Sequence, residues 1–175
     1  SLYYVKSQAI GFGLGAALCI VLSLLDFERY VRWQKLIYAG MGLMLLVTLF
    51  VGTGRSGAHR WIQLPFFDVQ TAELAKLLLI VTLGAFLAEG VELRTRFRFV
   101  LLAVGYVALP ALLVFLEPDL GTSLVFIAVL AAMLLVWGIK WRHAVALAAG
   151  GLAAVVGVLR VLPAMGISVL KEYQL

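Results

Sequence analysis

The sequence predicts an all-α fold: a polytopic transmembrane helical bundle with about six spans. Three observations predict it: the composition, the run lengths between charges, and the placement of the basic residues. Of 175 residues, 64% are hydrophobic and 13% charged, where a soluble domain carries roughly 45–50% and about 25%. Mean hydropathy is +1.08. These values exclude a soluble globular domain and a disordered chain, which needs low hydrophobicity. A disulfide scaffold is excluded too, because Cys19 is the sole cysteine.

The spans follow in order. Residues 7–25 and 36–54 carry no charge and are each 19 residues long, near the roughly 20 needed to cross about 30 Å of hydrocarbon. Residues 69–88 form the third span, interrupted by Glu73 and Lys76. Residues 99–116 and 120–139 are again charge-free. Pro110 lies inside the fourth span, where neighbouring helices can absorb a kink. The sixth span, 143–162, is rich in Ala and Gly and requires Arg160 to extend its guanidinium to the interface. The segments are apolar on all sides, as spans surrounded by lipid and other helices should be. Each must be helical, because a lone span has to satisfy its own backbone hydrogen bonds.

Eight basic residues fall between spans one and two (Arg29, Arg32, Lys35), three and four (Arg94, Arg96, Arg98) and five and six (Lys140, Arg142). The other side holds five: Lys6, Arg55, Arg60, Arg160 and Lys171. Short loops with the basic excess are cytoplasmic, so the chain enters from outside and its last residues emerge outside. The net charge of +5 is then a topology signal, and no nucleic-acid partner is expected. Residues 1–175 read as a single membrane domain, part of a longer polypeptide.

Three polar stretches exceed what topology requires. The loop after span two contains Arg60 and Trp61. It reads either as an interfacial turn, with Trp61 as a belt anchor and Asp68 as an N-cap, or as a phosphate site, because a guanidinium near a helix N-terminus favours phosphate. Next, Gln70, Glu73 and Lys76 are three apart and form a slanted polar stripe, in which Glu73 and Lys76 can pair. A charge near the bilayer centre costs roughly 2.5–3.5 kcal/mol on insertion scales, which makes intramembrane ionisable residues functional candidates. The alternative is a buried helix-packing pair, a poor stability device because desolvation offsets the attraction. Third, in Glu117-Pro118-Asp119-Leu120-Gly121-Thr122-Ser123, Pro118 suits a first helical position and Asp119 a first turn. A general base, a cation site or a hydrogen-bond network remain open for the two carboxylates. All three stretches fall on the outer side. One outward polar cavity lined by Arg60, Gln70, Glu73, Lys76, Glu117 and Asp119 is therefore expected. Gly11 and Gly15 read as a small-residue packing face, and Cys19 as a packed thiol. No metal-ligand spacing occurs.

These stretches resemble motifs of the SEDS family of cell-wall enzymes, which includes RodA and FtsW. Gly57-Ala58-His59-Arg60-Trp61 is similar to its Gly-Ala-x-Arg-Trp stretch. Gln70-Thr71-Ala72-Glu73-Leu74-Ala75-Lys76 is similar to Gln-Pro-Ser-Glu-x-x-Lys, with Thr71-Ala72 in place of Pro-Ser. Glu117-Pro118-Asp119-Leu120-Gly121-Thr122 matches Glu-Pro-Asp-x-Gly-Thr. The resemblance implies a ten-span fold, of which the six spans here are the second to seventh. It implies peptidoglycan glycosyltransfer, in which lipid II is polymerised into glycan strands on the outer face of the bacterial cytoplasmic membrane, for elongation or division. Glu73, Lys76 and Asp119 are then the supporting catalytic residues, with Lys76 and Arg60 on phosphate and Glu73 orienting Lys76. Arg60, Trp61, Gln70, Glu117 and Thr122 are the substrate-binding residues. The principal aspartate is expected beyond Leu175, and this piece alone is expected to be inactive. The implied partners are lipid II, the polyprenyl diphosphate-linked glycan, membrane lipids and a class B penicillin-binding protein transpeptidase. The residues demand no cofactor or metal of their own, and the resemblance admits a divalent cation, Mg or Mn, at the diphosphate. The alternatives are a lipid II flippase or other lipid transporter, and a non-catalytic scaffold for a transpeptidase.

Overall fold

The computed structural model describes residues 2–24, 26–52, 61–63, 68–117 and 119–157. It is all-helical apart from one short ribbon. Helix α1 spans Leu2–Ser23, α2 Phe27–Val51, α3 Thr71–Glu89, α4 Phe97–Leu116, α5 Leu120–Trp137 and α6 Trp141–Val156. Between α2 and α3, β1 (Trp61–Gln63) pairs antiparallel with β2 (Asp68–Gln70). The loop expected as an interfacial turn is therefore partly a β-ribbon. Asp68 pairs with Gln63 in it, and Gln70 rather than Asp68 is the N-cap of α3.

Among the described residues, four helices are long and apolar enough to cross a membrane: Glu28–Val51, Thr71–Glu89, Phe97–Leu116 and Leu120–Trp137. In α6 the described helix has 16 residues, and the expected sixth span runs past residue 157, outside the described residues. Helix α2 starts earlier than the apolar run. Asp26 holds its N-cap position and Glu28 its first turn, both favourable beside the positive helix end. Arg29, Arg32 and Lys35 therefore lie on the helix rather than in a preceding loop. Hydropathy marks what lipid tolerates, whereas backbone hydrogen bonding continues into the interface.

The core lies among α2 to α5. Met41, Leu45, Ala72, Ala75, Leu79, Leu83, Val100, Ala103, Val107, Val114 and Phe126 are buried, at the three- and four-residue steps that keep one helical face inward. Alanines at 72, 75 and 103 let backbones approach closely, which is how helices associate when lipid removes the hydrophobic drive. The outward faces stay apolar: Leu43, Leu102 and Val136 are all exposed.

Pro110 is buried inside α4 and cannot donate to the carbonyl of Tyr106, four residues back. The Tyr38 hydroxyl of α2 donates to that carbonyl at 2.6 Å, so a neighbouring helix satisfies the freed acceptor. From this point an aromatic ladder runs towards the end of the bundle away from the ribbon. Tyr38 packs on Tyr106, Tyr106 on Phe86, Phe86 on Phe99 and Phe99 on Trp137. The Trp137 indole N–H donates to the Leu87 carbonyl at 2.7 Å, one of the acceptors that the end of α3 leaves open. Gly90, just past that end, lies so close to Phe99 that a Cβ there would collide with the ring. Gly138 closes α5 at φ +86°, a left-handed cap that suits glycine.

Two expectations for α1 are corrected. Cys19 is exposed, not packed. No described atom lies within 4 Å of a Cβ placed at Gly11 or Gly15, so among the described residues no helix packs on that face.

Candidate functional site

The ribbon hands the chain directly into α3. Gln70 is both the last ladder residue, opposite Trp61, and the N-cap of the helix. Its side-chain amide donates to Asp119 Oδ2 at 3.3 Å. Asp119 is the N-cap of α5 rather than a first-turn residue: the Thr122 amide donates to Oδ1 at 3.1 Å and the Thr122 hydroxyl to Oδ2 at 3.0 Å. The extended backbone of an N-cap lets its carboxylate fold back onto the amide three residues later, which a first-turn position does not. Ser123 donates to the Asp119 carbonyl at 2.9 Å and to the Ala111 carbonyl of α4 at 3.2 Å. One carboxylate, 8% exposed, thus joins the starts of α3 and α5, and Ser123 ties α5 to α4.

Glu117 closes α4 and is completely buried. A helix C-terminus disfavours an anion and burial penalises a charge. Thr71, at the start of α3, is also buried in this region.

Lys76 Nζ and Glu73 Oε1 pair at 2.7 Å, with side-chain exposures of 24% and 55%. The pair lies off the packed stripe of Ala72, Ala75, Leu79 and Leu83, so it is not the buried packing pair weighed as the alternative. By helical rise, Lys76 lies about 9 Å along α3 from Gln70. Among the described residues, no hydrogen bond or ion pair joins Glu73–Lys76 to the Asp119 group. The stripe expected from spacing is therefore split: Gln70 belongs to Asp119, while Glu73 and Lys76 hold each other. Arg60 lies outside the described residues, and of Trp61 only the backbone is described.

Among the described residues, no group of three or more His, Cys, Asp or Glu side chains could hold a metal ion. Asp119 already accepts three donors. A crevice of about 340 Å³, lined by Gly84, Leu87, Ala88, Ala132, Met133, Val136 and Trp137, opens at the opposite end and is apolar. The sequence places Gln70 and Asp119 in one polar cavity, and the structure brings these two together through a direct hydrogen bond. Sequence reasoning missed the Tyr38 contact, which Pro110 did signal by freeing the carbonyl of residue 106.

Comparison with known proteins adds the following. The model of the FtsW/RodA/SpoVE family, described as cell cycle proteins, matches residues 1–175. The "Probable peptidoglycan glycosyltransferase FtsW" of Escherichia coli O6:H1 is 32% identical over 155 residues, 88% of this chain and 37% of that protein. Stage V sporulation protein E of Bacillus subtilis is 32% identical over 161 residues, 90% of this chain and 44% of that protein. The crystal structure of the rod shape determining protein RodA of Thermus thermophilus superposes with a TM-score of 0.70 at 29% identity, covering 89% of this chain and 50% of that one. A chain from a peptidoglycan synthase complex, whose structure addresses coordination of polymerization and crosslinking, gives a TM-score of 0.70 at 32% identity. It covers 97% of this chain and 48% of that one. The chain thus spans less than half the length of these two curated relatives.

Proposed function

This chain belongs to the FtsW/RodA/SpoVE family, the SEDS proteins, over its whole length, and we propose that it is part of a peptidoglycan glycosyltransferase polymerising lipid II. The protein works in the bacterial cytoplasmic membrane as part of a ten-span fold, with the ribbon end facing outside. The acceptor sugar hydroxyl attacks the anomeric carbon of the lipid-linked strand, and polyprenyl diphosphate leaves. That reaction needs a base for the hydroxyl proton and a fixed positive charge for the leaving diphosphate.

The observation that carries this reading is the Glu73–Lys76 pair. It is an intramembrane ion pair on a face of α3 that the described core does not use, just below a start fixed by the Gln70–Asp119 bond. Spanning alone gives no reason for it, and charges in the membrane are costly. Lys76 holds phosphate, Glu73 orients Lys76, and Arg60 and Trp61 lie in the loop above. Asp119, committed to three donors, is a positioning residue, with Thr122 and Gln70 as its partners. Glu117 completes the polar end. A class B penicillin-binding protein transpeptidase is the proposed partner. The similarity to a chain of a peptidoglycan synthase complex supports that partnership.

The test is polymerisation of labelled lipid II by the complete protein. Lys76→Ala should lower the rate about 100-fold, the scale of removing one electrostatic donor from a transition state. Glu73→Ala should act in the same direction, and Lys76→Arg should retain part of the rate. Unchanged rates in folded protein would refute the assignment. Headgroup movement without polymer would indicate a lipid transporter instead.

A further inference from the structure

At the end away from the ribbon, α4 and α6 begin side by side. The Phe97 ring meets the His143 ring, with centroids 5.1 Å apart. Arg96 and Arg98 flank Phe97. Arg142 precedes His143, and Lys140 lies two residues further back. Arg94 lies three residues before Phe97, so five cations from two separate loops fall within one helical turn of a single contact. All five are exposed, and among the described residues no ion pair or side-chain hydrogen bond holds any of them. The nearby acids Glu89 and Glu92 pair with none of them.

Topology alone does not account for this arrangement. The positive-inside bias sets a count of cations per side, but it does not bring two loops together. It also does not place Arg96 and Lys140 at the N-cap positions of α4 and α6. An N-cap prefers Ser, Thr, Asp or Asn, and a cation there is repelled by the positive end of the helix. Neither helix offsets this internally: both first turns lack an acid and neither has a side-chain cap. An external anion reverses the sign of every one of these terms. At the headgroup level of a membrane, basic pockets between helices suit phosphate-bearing lipids.

We infer that Arg96, Arg98, Lys140 and Arg142 form a seat for the phosphate headgroup of an anionic membrane phospholipid. The seat is independent of the proposed glycosyl-transfer site, which lies at the other end of the same bundle.

Native mass spectrometry of the complete, detergent-purified protein tests it, with cardiolipin and phosphatidylcholine as competing probes. Cardiolipin should be retained in preference. Arg98→Gln/Arg142→Gln should weaken its retention about 30-fold, from the contribution of two cations at a membrane surface. Arg29→Gln/Arg32→Gln, which removes the same charge from α2, should leave it unchanged. Arg98→Lys/Arg142→Lys should keep most of it. Equal loss in both Gln doubles, or loss in neither, would overturn the seat. A salt series on the unaltered protein tests the seat without substitutions. Retention should fall with rising ionic strength, and salt-independent retention refutes the inference.

Discussion

The two ends of the bundle are joined by different chemistry. At the ribbon end, the starts of α3 and α5 meet through the Gln70–Asp119–Thr122 hydrogen bonds. At the other end, α3, α4 and α5 meet through stacked rings and one indole hydrogen bond. By helical rise, the two junctions lie about 25 Å apart along α3. The aromatic junction satisfies its few polar atoms and gains from shape. The polar junction places buried carboxylates where apolar residues would cost less. The first junction holds its helices by shape, and the second holds them by directed hydrogen bonds to one carboxylate.

The largest effect should come from Asp119→Ala. It removes an N-cap and leaves Gln70 and Thr122 without their acceptor, a loss of about 3 kcal/mol. Polymerisation by the complete protein should fall with it. Asp119→Asn keeps an acceptor oxygen and should cost less, as thermal unfolding of the purified protein would register. If both variants keep full activity, the contrast between the ends fails.

Gly90→Ala should cost about 2 kcal/mol, within the range for overpacking, because the new methyl meets the Phe99 ring. Phe99→Leu should recover much of that loss in the double variant. Activity per folded molecule should hold, since this end is remote from the polar one. A specific activity loss would break the separation.

The smallest effect sharpens the picture most. Tyr38→Phe should cost about 1 kcal/mol, because the Tyr106 carbonyl loses the hydroxyl that compensates for Pro110. In a Pro110→Ala background the new backbone N–H supplies that bond, and the same Tyr38 substitution should cost almost nothing. A double-mutant cycle reads the difference directly.

Much of the fold was legible because its causes are local. Apolar length alone marks α3, α4 and α5 to within a few residues. The Glu73–Lys76 pair was legible because both partners sit one turn apart on one helix. The same spacing groups Gln70 with them, but the partner of a residue at an N-cap is set by whatever lies across from it, here Asp119. Cys19 and the Gly11–Gly15 face were misplaced because burial depends on neighbours, which periodicity does not name.

By itself the sequence determined that this chain is a membrane bundle, where its helices run and which residues are too polar for their surroundings. Hydropathy and helical period act within about twenty residues, so one stretch of chain contains them. Only the tertiary structure decided that Gln70 closes on Asp119, that Tyr38 repairs the gap at Pro110 and that Phe99 requires a glycine at 90. Those partners lie in different helices, and their meeting depends on how the helices pack.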